Sequence, residues 1–255
     1  MHPRRLFRWD VNGCWLEGMR LIGVLGGMSW ESTAEYFRLL NTGVRDRLGG
    51  LHSARLRVAT VDFAAIASMQ AAGDWPGAGV ALAREARDLE AAGAAVILIA
   101  TNTMHTVYDA VAAAVSVPVL HLGDVTAAAV TAAGLTRVGL LATTYTMEQS
   151  FYRDRLAGHG VQTLVPDEPD RREVQRIIYD ELCLGVVDDG SRTTLLRIAG
   201  GLLEDGEEGI VLGCTELELS LRKEHLEAPL FPATALHCAA ALEAALIEED
   251  TLDRK

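Results

Sequence analysis

The chain has 255 residues, and 49% of them are hydrophobic, which is enough apolar material for two ordinary domains. Lys and Arg number 23 against 35 Asp and Glu, so the net charge is −12. This charge opposes attraction to nucleic-acid phosphates and anionic membranes, and we expect neither as a partner. Because no apolar run reaches the roughly 20 residues of a membrane span and the N-terminus lacks the pattern of a secretory signal, we expect a cytoplasmic protein.

Short apolar runs alternate with helical patterns in the first half of the chain. Residues 1–18 have no sustained period and are predicted to be an extension of the fold. The predicted strands are Leu21–Leu25, Arg55–Phe63, Ala95–Ala100 and Val117–Leu122, and the predicted helices end near Leu48, Ala92 and Ala114. Wholly apolar, short strands are typical of a parallel sheet that is buried on both faces, and the alternation predicts right-handed crossovers.

The second half repeats this alternation. The predicted strands are Val138–Ala142, Val161–Val165, Ile210–Leu212 and Leu230–Pro232. The predicted helices are Val125–Ala133, Phe151–Gly158, Arg172–Leu184, Arg192–Glu204 and Ala235–Ile247. We expect the last helix to cross back to the first half and to place Thr234 and His237 near a cleft, with a charged tail over residues 248–255.

An internal duplication relates the two halves. Leu89–Thr103 aligns without a gap on Leu202–Glu216, which superposes Thr101 on Cys214, and Leu21–Gly27 resembles Arg137–Thr143. We therefore predict an α/β fold of two pseudo-symmetric domains, each a mainly parallel sheet flanked by helices, with the site between them. The predicted boundaries are 19–122 plus 236–250 for the first domain and 123–235 for the second.

Cys214 is the residue around which we build the predicted site. It follows the buried strand Ile210–Leu212, and parallel sheets bind ligands beyond the carboxyl ends of their strands. The duplication brings Thr101 to the same cleft from the opposite side, and two opposed proton-transfer groups suit the inversion of a stereocentre. We expect helix amides to lower the pKa of the thiol from about 8.5. The Thr101 hydroxyl needs a neighbouring base, either His105 or a substrate carboxylate.

Neutral donors cluster at the same strand ends and suit the capture of a carboxylate. These donors are Asn102, Thr103, Thr143, Thr146 and Thr215. Each threonine is equally suited to capping a helix.

Several other residues have two interpretations each. His52 and His105 either bind substrate or are solvated or hydrogen-bonded locally, whereas His121 and His237 are predicted to be structural. Arg45 and Arg47 are either solvated helix charges or reach into the cleft. The glycine turn at Gly26 lacks the spacing of a nucleotide-binding loop. The four widely spaced cysteines contain no Cys-x-x-Cys pair, so neither a zinc site nor a disulfide framework is predicted.

Four motifs in this order, Gly26–Thr33, Thr101–His105, Thr143–Met147 and Gly213–Leu217, resemble those of the aspartate/glutamate racemase superfamily. The resemblance covers about Leu21 to Ile247. It implies two pseudo-symmetric domains, an amino-acid substrate, a homodimer, and no pyridoxal phosphate (PLP) or metal. It also implies that Gly27 and Met28 join the substrate-binding residues named above.

The superfamily usually opposes two cysteines, but Thr101 occupies the first of these positions here. In this departure the chain resembles the subgroup of aspartate/glutamate-specific or broad-spectrum amino-acid racemases. We therefore predict a PLP-independent racemase in which Cys214 and the Thr101 side exchange the Cα proton. The alternatives are a single-cysteine decarboxylase of the same superfamily and a non-catalytic amino-acid-binding protein.

Overall fold

The computed structural model describes residues 19–246. Two four-stranded sheets form its framework, with strand orders β2-β1-β3-β4 and β6-β5-β7-β8. The strands of the first sheet are β1 (Ile22–Gly26), β2 (Leu56–Thr60), β3 (Val96–Ile99) and β4 (Val119–Leu120). Those of the second are β5 (Arg137–Leu141), β6 (Gln162–Leu164), β7 (Ile210–Leu212) and β8 (Leu230–Pro232). Every pairing between these strands is parallel, so the predicted fold class is confirmed.

Helices connect the strands and cover the sheets. The helices of the first half are α1 (Trp30–Leu48), α2 (Phe63–Ala72), α3 (Trp75–Ala91), α4 (Tyr108–Ala112) and α5 (Leu122–Ala132). The later ones are α6 (Thr144–Glu148), α7 (Ser150–Gly158), α8 (Glu168–Asp180), α9 (Asp189–Glu204), α10 (Leu217–Ser220) and α11 (Ala233–Ala245). Short 3-10 turns lie at Thr103–Val107, Leu182–Leu184 and Lys223–His225. None of the helices within residues 19–246 is long and apolar enough to cross a membrane.

The core of each half lies between its sheet and the helices. On one face of the first sheet, Leu25 and Ile99 pack with Leu82 of α3. On the other face, Val24 and Leu98 pack in a cluster with residues of α1 and α11. The last helix therefore returns to the first sheet, as its position in the sequence predicted. The domain boundaries themselves stay a prediction.

Equivalent glycines on the central strands let the crossover helices approach closely. Gly23 on β1 faces Leu89 and Ile97, and a Cβ added there would lie 3.2 Å from Ile97 Cγ1. Gly139 on β5 faces Leu202 and Ile210, the residues that the duplication aligns with Leu89 and Ile97, and its Cβ would lie 2.7 Å from Leu202 Cδ1. The duplication thus extends to individual packing contacts.

The prediction of a strand over Arg55–Phe63 was partly wrong. The strand ends at Thr60, and Phe63 begins α2, which was not predicted. Asp62 causes this change, because its side chain accepts a hydrogen bond from Ala64 N at 3.2 Å and so caps the helix. The predicted N-terminal extension, the tail and the residue Ile247 lie outside the described residues.

Candidate active site

A cavity of about 140 Å³ lies at the carboxyl ends of both sheets. Thr101, two residues after β3, and Cys214, two residues after β7, both line it. β3 and β7 hold equivalent places in the two sheet orders. The duplication therefore brings a hydroxyl and a thiol to one enclosed space.

Most of the predicted site residues share this cavity. Those that line it are Met28, Thr101, Asn102, Thr103, Thr143, Thr146, Cys214 and Thr215. Gly27, His52 and His105 do not line it. Gly27 shapes the turn into α1 instead, since its φ is +87° and its amide donates to Thr33 Oγ1 at 2.8 Å. His52 lies on the loop after α1, where its amide donates to Gly49 O.

His105 lies behind Thr101 and is not placed to act on the Thr101 hydroxyl. Its ring is buried, with Nδ1 2.9 Å from Thr101 O, and Nε2 accepts from Leu122 N at 3.1 Å. The proton is therefore on Nδ1, which donates to the Thr101 carbonyl. Burial lowers the pKa of His105 to about 4, so the ring is neutral near pH 7. The expectation that it serves as a base for the hydroxyl is not supported by this geometry.

Two other buried histidines, His121 and His237, form hydrogen bonds within the protein and do not line the cavity. His121 Nδ1 accepts from Gly123 N at 3.0 Å. His237 Nε2 lies 3.0 Å from Leu120 O and must donate to it, so Nδ1 accepts the proton of Tyr36 OH at 2.9 Å. Tyr36 lines the cavity. Because its proton is engaged with His237, its oxygen faces further partners as an acceptor.

Cys214 belongs to a network of hydrogen bonds that converges on the carboxylate of Glu216. Its Sγ donates to Glu216 Oε2 at 2.9 Å, and Thr215 Oγ1 donates to the same oxygen at 2.7 Å. Ser32 Oγ is 2.6 Å from Thr215 Oγ1 and must be the donor, since the Thr215 proton is already used. Burial and the negative charge of Glu216 raise the pKa of Cys214 well above its ordinary value. The expected lowering of this pKa was wrong, because burial disfavours the thiolate and the neighbouring charge is a carboxylate.

Asn102 links the two halves across the cavity. Its Nδ2 donates to Gly213 O at 2.9 Å, which fixes the orientation of the side-chain amide. The other amide atom, Oδ1, is buried and has no hydrogen-bond partner among the described residues. A buried acceptor without a partner is costly, so this atom suits a donor on a ligand.

The cavity also includes side chains that the sequence analysis did not assign to a substrate. These are Ser29, Ser32, Tyr36, Phe63, Gln70, Leu122, Ile178, Tyr179, Cys183, Gly213, Glu216, Ala233 and Thr234. Gly213 and Glu216 belong to the motif Gly213–Leu217, and the sequence analysis expected Thr234 to lie near the cleft. Ile178, Tyr179 and Cys183 lie at and after the end of α8, where no strand-end signal is present.

Arg45 and Arg47 of α1 do not reach the cavity. Arg45 pairs with Asp46 at 3.5 Å and Arg47 with Glu243 at 2.5 Å, and neither lines the cavity. Of the two interpretations given above, these arginines are therefore charges on the surface of the helix. Residues 19–246 contain no group of three His, Cys, Asp or Glu side chains that could hold a metal ion.

Comparison with known families identifies the family to which the chain belongs. The family model described as Asp/Glu/Hydantoin racemase matches residues 25–241, which include the end of β1, all of β2 to β8 and every lining residue of the cavity. The chain belongs to the Asp/Glu/hydantoin racemase family. The resemblance inferred from the four motifs is thereby confirmed at the level of the superfamily.

Three relatives of this racemase-family chain show the extent of the similarity. The crystal structure of a candidate Asp/Glu racemase from Yersinia pestis is 46% identical, with a TM-score of 0.83, and covers 88% of this chain and 98% of its own. An aspartate racemase homologue from Pyrococcus horikoshii OT3 is 31% identical, with a TM-score of 0.82 and the same coverage of both chains. An uncharacterized protein in the pnlA 3′ region of Pectobacterium carotovorum subsp. carotovorum is 39% identical over 106 residues, which are 42% of this chain and 69% of that protein.

Proposed function

We propose that the chain is a PLP-independent amino-acid racemase of the aspartate/glutamate or broad-spectrum type. The observation that carries this proposal is the convergence of Thr101 and Cys214, from equivalent strand ends, on one cavity. Inversion at Cα needs a proton carrier on each face of the substrate. A homodimer, which the family resemblance implies, belongs to the same proposal and is tested by sedimentation equilibrium.

Cys214 removes the Cα proton as a thiolate. The thiol first transfers its proton to Glu216 Oε2, its hydrogen-bond acceptor at 2.9 Å. The thiolate then takes the Cα proton, so that the Cα–H bond breaks, an S–H bond forms and the electron pair passes into the substrate carboxylate. A proton on Glu216 removes the like charge that otherwise opposes the thiolate.

Thr101 faces the opposite side of the substrate in this proposal. No described residue forms a hydrogen bond with its hydroxyl, so its proton has no relay of the kind that Glu216 gives Cys214. A hydroxyl without a base is a weak proton carrier near neutral pH. The two enantiomers should therefore exchange their Cα protons at different rates.

The remaining polar groups of the cavity suit the two ends of an amino acid. The hydroxyls of Thr103 and Thr146 are available as donors to the carboxylate, whereas the Thr143 hydroxyl donates to Thr146 Oγ1 at 3.2 Å. Asn102 Oδ1 and the Tyr36 oxygen are acceptors to which no residue within 19–246 donates, and they suit the ammonium group.

Deuterium exchange at Cα, followed by proton NMR in D2O over L- and D-amino acids, tests the proposal. Cys214→Ser should lower exchange by about 10²- to 10⁴-fold, the usual contribution of a positioned acid or base. Cys238→Ala is the matched control, because Cys238 is also a buried thiol but packs in the core between α1 and α11. Near-normal exchange by Cys214→Ser would eliminate this mechanism.

One strand-end thiol, Cys214, opposite the strand-end hydroxyl of Thr101 also favours a second candidate. One cysteine can protonate a planar carbanion that is left when a malonate-type substrate loses CO2. Release of CO2 from disubstituted malonates without exchange of amino acids would identify such a decarboxylase. Binding of amino acids with neither reaction would identify a non-catalytic binding protein.

A further inference from the structure

Two hydrogen bonds in series connect the backbone at the end of β4 to the Tyr36 hydroxyl. His237 of α11 is fully buried, and its Nε2 lies 3.0 Å from Leu120 O. Its Nδ1 lies 2.9 Å from Tyr36 OH, and the two rings are nearly perpendicular, at 85°. Tyr36 lines the cavity, whereas His237 does not. His237 can therefore influence a ligand through Tyr36.

The Leu120 carbonyl determines the direction of both hydrogen bonds. A carbonyl oxygen only accepts, so Nε2 carries the proton of the neutral ring and Nδ1 is left as an acceptor. Burial and the neighbouring His105 lower the pKa of His237 to about 3, and burial raises the pKa of Tyr36 well above its usual range. Both groups thus keep these protonation states near pH 7, and Tyr36 donates its one proton to His237.

His105 does not replace Tyr36 as the partner of the His237 ring. The centroids of the two histidine rings are 5.7 Å apart. Both nitrogens of His105 are already occupied, since Nδ1 donates to Thr101 O and Nε2 accepts from Leu122 N. The Tyr36 oxygen is left with lone pairs and without a proton for a ligand. A ligand group that donates suits this oxygen, and a group that only accepts does not.

We propose that His237 is a positioning residue that keeps the Tyr36 oxygen an acceptor toward the cavity, so that the site selects an ammonium group over an oxo group at Cα of the ligand. This inference deepens the proposed function and rests on it in one respect, because the ligand is taken to be an amino acid. An ammonium group has three donors and no acceptor, whereas an oxo group has an acceptor and no donor. Selection between them therefore measures which atom Tyr36 presents.

Paired substitutions of His237 test this selection. His237→Asn keeps an acceptor near the position of Nδ1, whereas His237→Leu has nearly the same size and removes it. Both variants take the donor away from Leu120 O, so they share that structural cost. Titration calorimetry compares each amino acid with its oxo acid in three pairs, which are L-aspartate with fresh oxaloacetate, L-glutamate with 2-oxoglutarate, and L-methionine with 4-methylthio-2-oxobutanoate.

Wild type should bind the amino acid of a pair more tightly than the oxo acid. This affinity ratio should fall at least about fivefold in His237→Leu, the size expected for one hydrogen bond, because the Tyr36 proton becomes free to turn toward the ligand. The ratio should stay near the wild-type value in His237→Asn. Circular dichroism verifies that the variants fold.

A double substitution shows whether His237 acts through Tyr36. In the Tyr36→Phe background the oxygen is absent, so His237→Leu should change the affinity ratio no further. Tyr152→Phe is the matched control, because Tyr152 is also a fully buried tyrosine but donates to Thr126 Oγ1 and does not line the cavity. Its ratio should equal that of wild type. Nitrogen NMR of the His237 ring in wild type, which needs no variant to fold, should show the proton on Nε2.

These measurements separate the inference from the racemase proposal. Equal ratios in wild type and His237→Leu, a further change in the Tyr36→Phe background, or a proton on Nδ1 would each overturn the inference, even if amino acids exchange their Cα protons. Failure of wild type to bind any of the three amino acids would overturn it as well. The expected ratios in a protein that exchanges no amino acid would support the inference and eliminate the racemase.

Discussion

Glu216 is the hydrogen-bond partner of the Cys214 thiol. A thiol beside a carboxylate keeps its proton, so Cys214 is a hydrogen-bond donor to Glu216 and not a preformed thiolate. Ser32 and Thr215 hold that carboxylate in place through their hydroxyls. In the proposed mechanism, activation of the thiol therefore requires a proton to move to Glu216 when the substrate binds.

Thr101 is the residue at which the mechanism can be changed most directly. Thr101→Cys replaces a hydroxyl by a thiol whose reference pKa of about 8.5 is far closer to working pH. We expect the variant to exchange both enantiomers, with the larger gain for the one that wild type exchanges slowly. Cα deuterium exchange of each enantiomer measures this gain.

Thr101→Ser is the matched control for that change, because it keeps the hydroxyl and removes the methyl group. Its two exchange rates should keep the wild-type ratio. Equal rates for both enantiomers in the wild type, for every substrate turned over, would show that Thr101 or a neighbour is already a competent second base. A Thr101→Cys variant that exchanges no faster than Thr101→Ser would also contradict the assignment.

Sequence alone could predict the site residues that follow strands, because a strand end is visible as the end of an apolar run. Thr101, Asn102 and Cys214 are of this kind. Ile178 and Cys183 come from a helix end whose distance from the cleft depends on tertiary packing. Likewise, the sequence does not show whether a histidine is buried, so it could not separate the two interpretations of His105, whose ring contacts the backbone of Thr101 and Leu122.

At the scale of elements, α2 shows how local chemistry ends a strand. The apolar residues around Phe63 suit a strand or a helix equally, and periodicity does not separate the two over so short a run. Asp62 is the deciding signal, since an Asp immediately before such a run is a preferred N-cap. When Asp62 is taken as an N-cap, the sequence predicts both the end of β2 and the start of α2.

The junction between α10 and α11 depends on a carboxyl with a raised pKa. Glu218 Oε1 accepts from Thr234 N at 2.8 Å, and burial raises the pKa of Glu218 to about 7 from 4.5. Between these two values the unfolded chain binds fewer protons than the folded protein. The free energy of unfolding therefore falls as pH rises through this window, and the loss is complete above about pH 7.

Glu218→Gln should remove this dependence, because the amide is always neutral and its oxygen still accepts from Thr234. We expect the variant to be more stable than wild type at pH 8, with the difference shrinking toward pH 5. Urea denaturation at pH 5, 6, 7 and 8 measures it. Glu204→Gln, at the exposed end of α9, is the control and should follow the wild-type profile. A difference between Glu218→Gln and wild type that does not vary with pH would rule out this titration.

At the scale of the whole molecule, the duplication predicted the architecture more completely than it predicted the chemistry. Equivalent sequence segments became equivalent strands in two sheets of the same order. The two halves diverge where they line the cavity, with a hydroxyl on one side and a thiol with its carboxylate on the other. Hydrogen bonds from Asn102 to Gly213 and from Ser32 to Thr215 then join the halves at the cavity.

Substitution of the equivalent glycines Gly23 and Gly139 tests whether the crossover helices of both halves pack closely on the central strands. A Cβ at Gly139 would lie 2.7 Å from Leu202 Cδ1 and 3.0 Å from Leu202 Cβ, whereas at Gly23 the closest atom is Ala94 Cβ at 3.1 Å. Gly139→Ala should therefore lower the free energy of unfolding by about 1–3 kcal/mol, the usual cost of overpacking. Gly23→Ala should lower it by less, because its neighbours need to move by only a few tenths of an ångström. Urea denaturation at pH 7 measures both, with Gly200→Ala as the control, since a Cβ there meets no atom within 4 Å. A larger loss in Gly23→Ala than in Gly139→Ala would show that close helix packing is not what these strand glycines provide.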